Sequence, residues 1–152
     1  MSVQNMLVVS GPPIWTVKIA DFGICKQTQI DGTSLHTQVG SQYFVAPEVY
    51  YQEADNYTNA VDIWSLGAIL FLILSGRVML EDNRHLHDYQ QGKKLFPFDL
   101  LRRQEVSDAG IEFVRGLLAR LPAQRPSASA CFQDPWLRGV TEVAVEVAVA
   151  AV

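Results

Sequence analysis

Residues 62–74, DIWSLGAILFLIL, decide the architecture. The apolar run from Ile63 to Leu74 is 12 residues long, against about 20 for a membrane span. Asp62 closes one end and Arg77 stands just beyond the other. Folded as a helix, the run is apolar nearly all round, and such a helix belongs inside a domain. Thr58 suits the N-cap of a helix from Asn59 to Leu74, and Ser75-Gly76 suits its end.

Working outward toward the C-terminus, residues 77–100 show no regular period and contain FPFDLL. Ser107 opens an amphipathic helix with Ile111, Val114, Leu117, Leu118 and Leu121 at helical spacing. Pro122, Pro126 and Pro135 punctuate the region after it, and Ser127 suits the cap of a short helix through Phe132. Residues 139–152, GVTEVAVEVAVAAV, form a low-complexity tail that reads as a frayed helix or a strand.

Toward the N-terminus, a short helix is expected from Pro47 to Gln52, with proline in its first turn. Residues 24–45 form a long polar loop rich in hydroxyl side chains, and loops of that length in a compact domain are often functional. Asn5 to Val9 and Trp15 to Ala20 read as two short strands around Gly11-Pro12-Pro13, a small hairpin. The fold class is therefore mainly α, with one small N-terminal β-hairpin.

Apolar residue types make up 49% of the 152 residues and charged types 18%, a globular composition. The net charge of −4 argues against a general nucleic-acid binder, which needs a basic patch to neutralise phosphates. The two cysteines, Cys25 and Cys131, suggest no disulfide framework, and MSVQNMLVVSGPP lacks the basic segment of a secretory signal. An intracellular location, in cytoplasm or nucleus, is the expectation. His85 and His87 read as part of a solvated loop, and Lys93-Lys94 and Arg102-Arg103 as ordinary surface charges.

Five segments occur in order: VKIADFG (17–23), GSQYFVAPE (40–48), DIWSLG (62–67), FP (96–97) and RPSA with PWL (125–137). Together they resemble the C-terminal lobe of a eukaryotic-type serine/threonine protein kinase, within which the calcium/calmodulin-dependent-like group is one option. The resemblance spans residues 2–138 and implies a family activity of ATP- and Mg2+-dependent phosphorylation of Ser or Thr in proteins. It places Asp21 and Asn5 as ligands of Mg2+ and hence of the ATP phosphates, where carboxylate and amide oxygens suit a hard cation. Asp21 also reads as the Asp of an ordinary turn before Gly23, and Asn5 as a polar residue near a chain end. Phe22 and Gly23 complete the Asp21 turn. Ser41 resembles the residue that orients the substrate hydroxyl, and Tyr43, Phe44 and Val45 the wall beside the next substrate residue. Thr37 occupies a position of activating phosphorylation in such kinases, with Ser34 and Thr33 as further phosphosites, or all three are solvated hydroxyls. Glu48 and Arg125 correspond to a buried ion pair, Asp62 to an acceptor of catalytic-loop hydrogen bonds, and Trp64 to core.

The resemblance also implies what these residues lack. Only 20 residues precede Asp21, too few for the glycine-rich loop, the strand lysine and the helix glutamate of the other lobe. The family's catalytic base would lie seven positions before Asn5, ahead of residue 1. The expectation is a truncated kinase domain over residues 1–138, catalytically inactive by itself, with an exposed apolar face open to self-association. The alternative is a non-catalytic, pseudokinase-like module that binds a protein substrate or another kinase.

Overall fold

The computed structural model describes residues 5–12, 15–20, 42–51, 58–79 and 83–138. Asp21, Phe22, Gly23, Thr33, Ser34, Thr37, Ser41 and the tail 139–152 lie outside the described residues.

Two strands open the described structure, β1 (Met6–Ser10) and β2 (Thr16–Ile19). They pair antiparallel with Met6 opposite Ile19, Leu7 opposite Lys18 and Val8 opposite Val17, and the register shifts between Val8 and Ser10. The rest is helical: α1 (Pro47–Tyr50), α2 (Ala60–Ser75), α3 (Asn83–Gln90), α4 (Asp99–Arg103), α5 (Asp108–Leu117), α6 (Ala128–Phe132) and α7 (Pro135–Arg138). Single 3-10 turns sit at Gln42–Phe44 and Pro122–Gln124.

α2 is the axle of the core. Trp64, Ala68, Ile69 and Phe71 face a large cluster with Leu86 of α3, Phe96, Leu101 of α4, and Ile111, Val114 and Leu118. Its other side sends Ile63 into a second cluster with Phe113, Leu117 and Cys131, flanked by Leu66, Leu70, Trp136 and Leu137. Packing on two sides is why the helix is apolar nearly all round; of its large apolar side chains only Ile73, near the far end, is exposed. Each fully buried aliphatic or aromatic side chain contributes about 1.5–3 kcal/mol. Gly67 lets α5 approach closely: a Cβ there would lie 2.8 Å from Leu117 Cβ and 2.9 Å from Leu118 Cδ2. Phe96 plugs the large cluster, with its ring centroid 4.3 Å from Tyr89 and 6.0 Å from Trp64.

The helix ends follow their capping chemistry. Gly76 takes φ +69° and its N–H bonds the Leu72 carbonyl at 2.8 Å, so α2 stops there. At the other end Thr58 Oγ1 accepts from Ala60 N at 3.3 Å, although Asn59, not Thr58, is the last residue before the helix. Ser107 Oγ accepts from Gly110 N and Ser127 Oγ from Ala130 N.

Three expectations are corrected. Residues 77–100 hold the helix α3 and the start of α4, so His85 and His87 lie on a helix rather than a loop. α3 buries only Leu86 fully, one apolar anchor in a polar octapeptide, which is too sparse to show as a period. Its hold is tertiary, through Leu86 and a 2.7 Å hydrogen bond from the Tyr89 hydroxyl to the Leu118 carbonyl. Leu121 does not extend the stripe of α5: the helix ends at Leu117, and Leu121 is extended and exposed ahead of Pro122. α1 ends at Tyr50, short of Gln52.

Candidate functional site

The hairpin comes first in the chain. Asn5 stands just before β1, and its carbonyl accepts a 2.8 Å hydrogen bond from Ala20 N. Ala20 directly precedes Asp21 in the chain. Asn5 and Ala20 are thus tied together at the open end of the hairpin, away from its turn. An amide oxygen and a carboxylate oxygen are both hard donors of the kind Mg2+ takes.

The segment Gln42 to Ala46 is fastened to α2 from below. Ser65 Oγ donates to the Phe44 carbonyl at 2.9 Å. Phe44 and Ala46 are buried in the large cluster, whereas Tyr43 is exposed and Val45 half-buried. Of the proposed substrate wall, Phe44 therefore anchors the segment in the core, and Tyr43 is the side chain presented to solvent. Ser65 thus supports this segment, and its signal in the sequence is a hydroxyl inside an otherwise apolar helix.

Directly after that segment, Glu48 meets Arg125. Arg125 Nη1 lies 2.6 Å from Glu48 Oε1 and Nη2 lies 2.8 Å from Oε2, a bidentate pair. The guanidinium also donates to the carbonyls of Ala60 (3.0 Å), Ala119 (2.9 Å) and Arg120 (3.4 Å). Its flat face lies over Trp64, 5.0 Å from the ring centroid. Trp64 is fully buried, and its Nε1–H has no partner among the described residues. One side chain thus ties α1, the start of α2 and the segment after α5 into a single unit. Asp62, in the first turn of α2, is exposed.

Two groups shift their proton affinity. Burial raises the Tyr89 phenol above its usual range, against the opposing charges of Arg120 and Arg125. Burial, then the Asp134 carboxylate, raises the Cys131 thiol. Neither group is a poised nucleophile. Among the described residues no cluster of three or more His, Cys, Asp or Glu could hold a metal, and no helix is long and apolar enough to cross a membrane.

Comparison with known proteins agrees with this arrangement. Residues 2–137 match the family model described as protein kinase domain. The chain is 31% identical over 143 residues to serine/threonine-protein kinase cds1 of Schizosaccharomyces pombe, covering 91% of this chain and 30% of that protein. It is 35% identical over 137 residues to the ovarian-specific serine/threonine-protein kinase Lok of Drosophila melanogaster, covering 89% of this chain and 29% of that protein. The chain thus spans about a third or less of these relatives. A crystal structure of the Rad53 kinase domain and SCD2 in complex with AMPPNP superposes with a TM-score of 0.69 at 24% identity, covering 91% of this chain and 49% of that one. With the helical axle, the hairpin and the buried Glu48–Arg125 latch in place, and with a family match over nearly its whole length, the chain belongs to the protein kinase domain family.

Proposed function

We propose that these 152 residues are the C-terminal, helical part of a serine/threonine protein kinase domain, over residues 1–138, followed by a low-complexity tail. The family reaction moves the γ-phosphoryl group of ATP to a protein hydroxyl. In that reaction Asp21 and Asn5 would hold Mg2+ and through it the ATP phosphates, Ser41 would orient the acceptor hydroxyl, and Tyr43, Phe44 and Val45 would form the wall beside the next substrate residue. Phosphorylation of Thr37, or of Ser34 or Thr33, tunes the loop that carries Ser41. The observation that carries the reading is the family match over residues 2–137. The likeness to a crystal structure that contains a kinase domain supports the fold.

The polypeptide taken alone is proposed to be catalytically inactive. Positioning and electrostatic stabilisation supply almost all of phosphoryl-transfer catalysis. Within these residues no lysine, glutamate or aspartate precedes the hairpin to grip phosphate or accept the substrate proton. The purified chain, incubated with Mg2+, γ-labelled ATP and a serine/threonine peptide, should label nothing above an Asp21→Ala control. Sustained labelling that disappears in Asp21→Ala would show that the lobe works unaided and overturn this part of the reading.

A further inference from the structure

The turn after α3 gathers cations that the kinase reading leaves unused. Lys93 and Lys94 are exposed there, and Leu95 beside them is 88% exposed. From the segment after α5, the exposed Arg120 lays its guanidinium against the same turn: a Cβ on Gly92 would lie 2.6 Å from Arg120 Nη1. Gly92, at φ +69°, accommodates both the left-handed backbone and that close approach.

None of the three cations forms an ion pair with a carboxylate among the described residues, whereas Arg103, Arg115 and Arg125 each do. Nor are the lysine side chains needed to finish the helix. Backbone N–H groups already take its last carbonyls: Gln91 N bonds His87 O, Gly92 N bonds Tyr89 O, and Lys93 N and Lys94 N both bond Asp88 O. The carboxylate of Asp88 lies toward His87, 3.7 Å from Nδ1.

We propose that Lys93, Lys94 and Arg120, with Leu95 at their edge, form a docking surface for an acidic protein segment carrying an apolar side chain. Charge complementarity selects the partner: three exposed cations, none in an ion pair among the described residues, favour an acidic partner although the chain as a whole carries −4. Leu95 supplies an apolar contact that a phosphate backbone would not use. Anionic membranes are recognised by clusters of about 4–8 basic residues, more than this turn holds. The proposal does not depend on catalysis.

The test uses the full chain and a short fluorescein-labelled peptide alternating Glu and Leu, with its Gln-for-Glu counterpart, read by anisotropy. The acidic peptide should bind, and binding should weaken from about 50 to about 300 mM NaCl as screening increases. Lys93→Ala/Lys94→Ala/Arg120→Ala should weaken it about tenfold, the size of three exposed ion pairs. Leu95→Ala should weaken it about threefold or more through lost apolar burial. Arg102→Ala/Arg103→Ala, changed on α4, should bind like the parent. These side chains are exposed, so circular dichroism should report an unchanged fold. Equal affinity for both peptides, full binding by the triple variant, or capture by phosphatidylserine vesicles without peptide binding would each overturn the proposal.

Discussion

Replacing Arg125 with Met should be the most damaging single change in the structure. The side chain of Arg125 is 0% exposed and that of Glu48 10%. Met approximates the volume, so little cavity forms, and the loss is electrostatic. It strands the Glu48 carboxylate away from water and removes the donors to Ala60, Ala119 and Arg120. Removing one partner of a buried pair costs about 3–5 kcal/mol, a large share of the 5–15 kcal/mol that holds an ordinary domain. At a urea slope of about 2 kcal/mol per molar, the midpoint should fall by about 2 M. Glu48→Gln is milder, because an uncharged amide still accepts from the guanidinium; a loss of about 1.5–3 kcal/mol is expected. The double variant should recover more than 1 kcal/mol relative to the sum of the singles, since the stranded charge is gone. Urea unfolding followed by circular dichroism, on all four proteins of the cycle, measures the coupling. A cost below 1 kcal/mol for Arg125→Met, or strict additivity, would refute the assignment of this pair as the latch.

Gly67→Ala should destabilise by about 1–3 kcal/mol by driving a methyl group into Leu117 and Leu118, read in the same denaturation assay. Glu105→Gly should stabilise: Glu105 sits at φ 58° where α4 ends, and glycine relieves about 0.5–1 kcal/mol of left-handed strain; an unchanged or lower midpoint would contradict this. Stability should decline in alkali. The raised Tyr89 and Cys131 values mean that the native state holds these protons more tightly than the unfolded chain. Their contribution is intact below the unfolded values, about 8.5 for Cys and 10 for Tyr, and is lost as pH rises through the native ones. Urea midpoints should therefore fall between about pH 8 and pH 11, with Tyr89→Phe flattening the upper part of the decline; a midpoint that rises would defeat the argument.

Much of the molecule was legible in the order of its residues. The two strands, the buried α2, and the caps at Ser107, Ser127 and Gly76 follow from local signals, because a cap or a turn is satisfied within a few residues of itself. The ordered motifs pointed to the kinase family for the same reason, each being a short stretch with its own chemistry. α3 was not legible, because it is held by its own Leu86 and the Tyr89 hydroxyl, whose partners lie elsewhere in the chain.

What only the tertiary structure decided are the meetings of residues distant in sequence. Glu48 and Arg125 are 77 positions apart, and Phe44 and Ser65 are 21 apart. Arg120 reaches a turn whose two lysines, read alone, are ordinary surface charges. Side-chain type states what a group can bond; burial and chain crossing decide which partner it has and whether water screens the bond. The ordered motifs therefore indicated the family of this protein through their resemblance, and the packing around α2 determined which of its charges are fastened and which remain available.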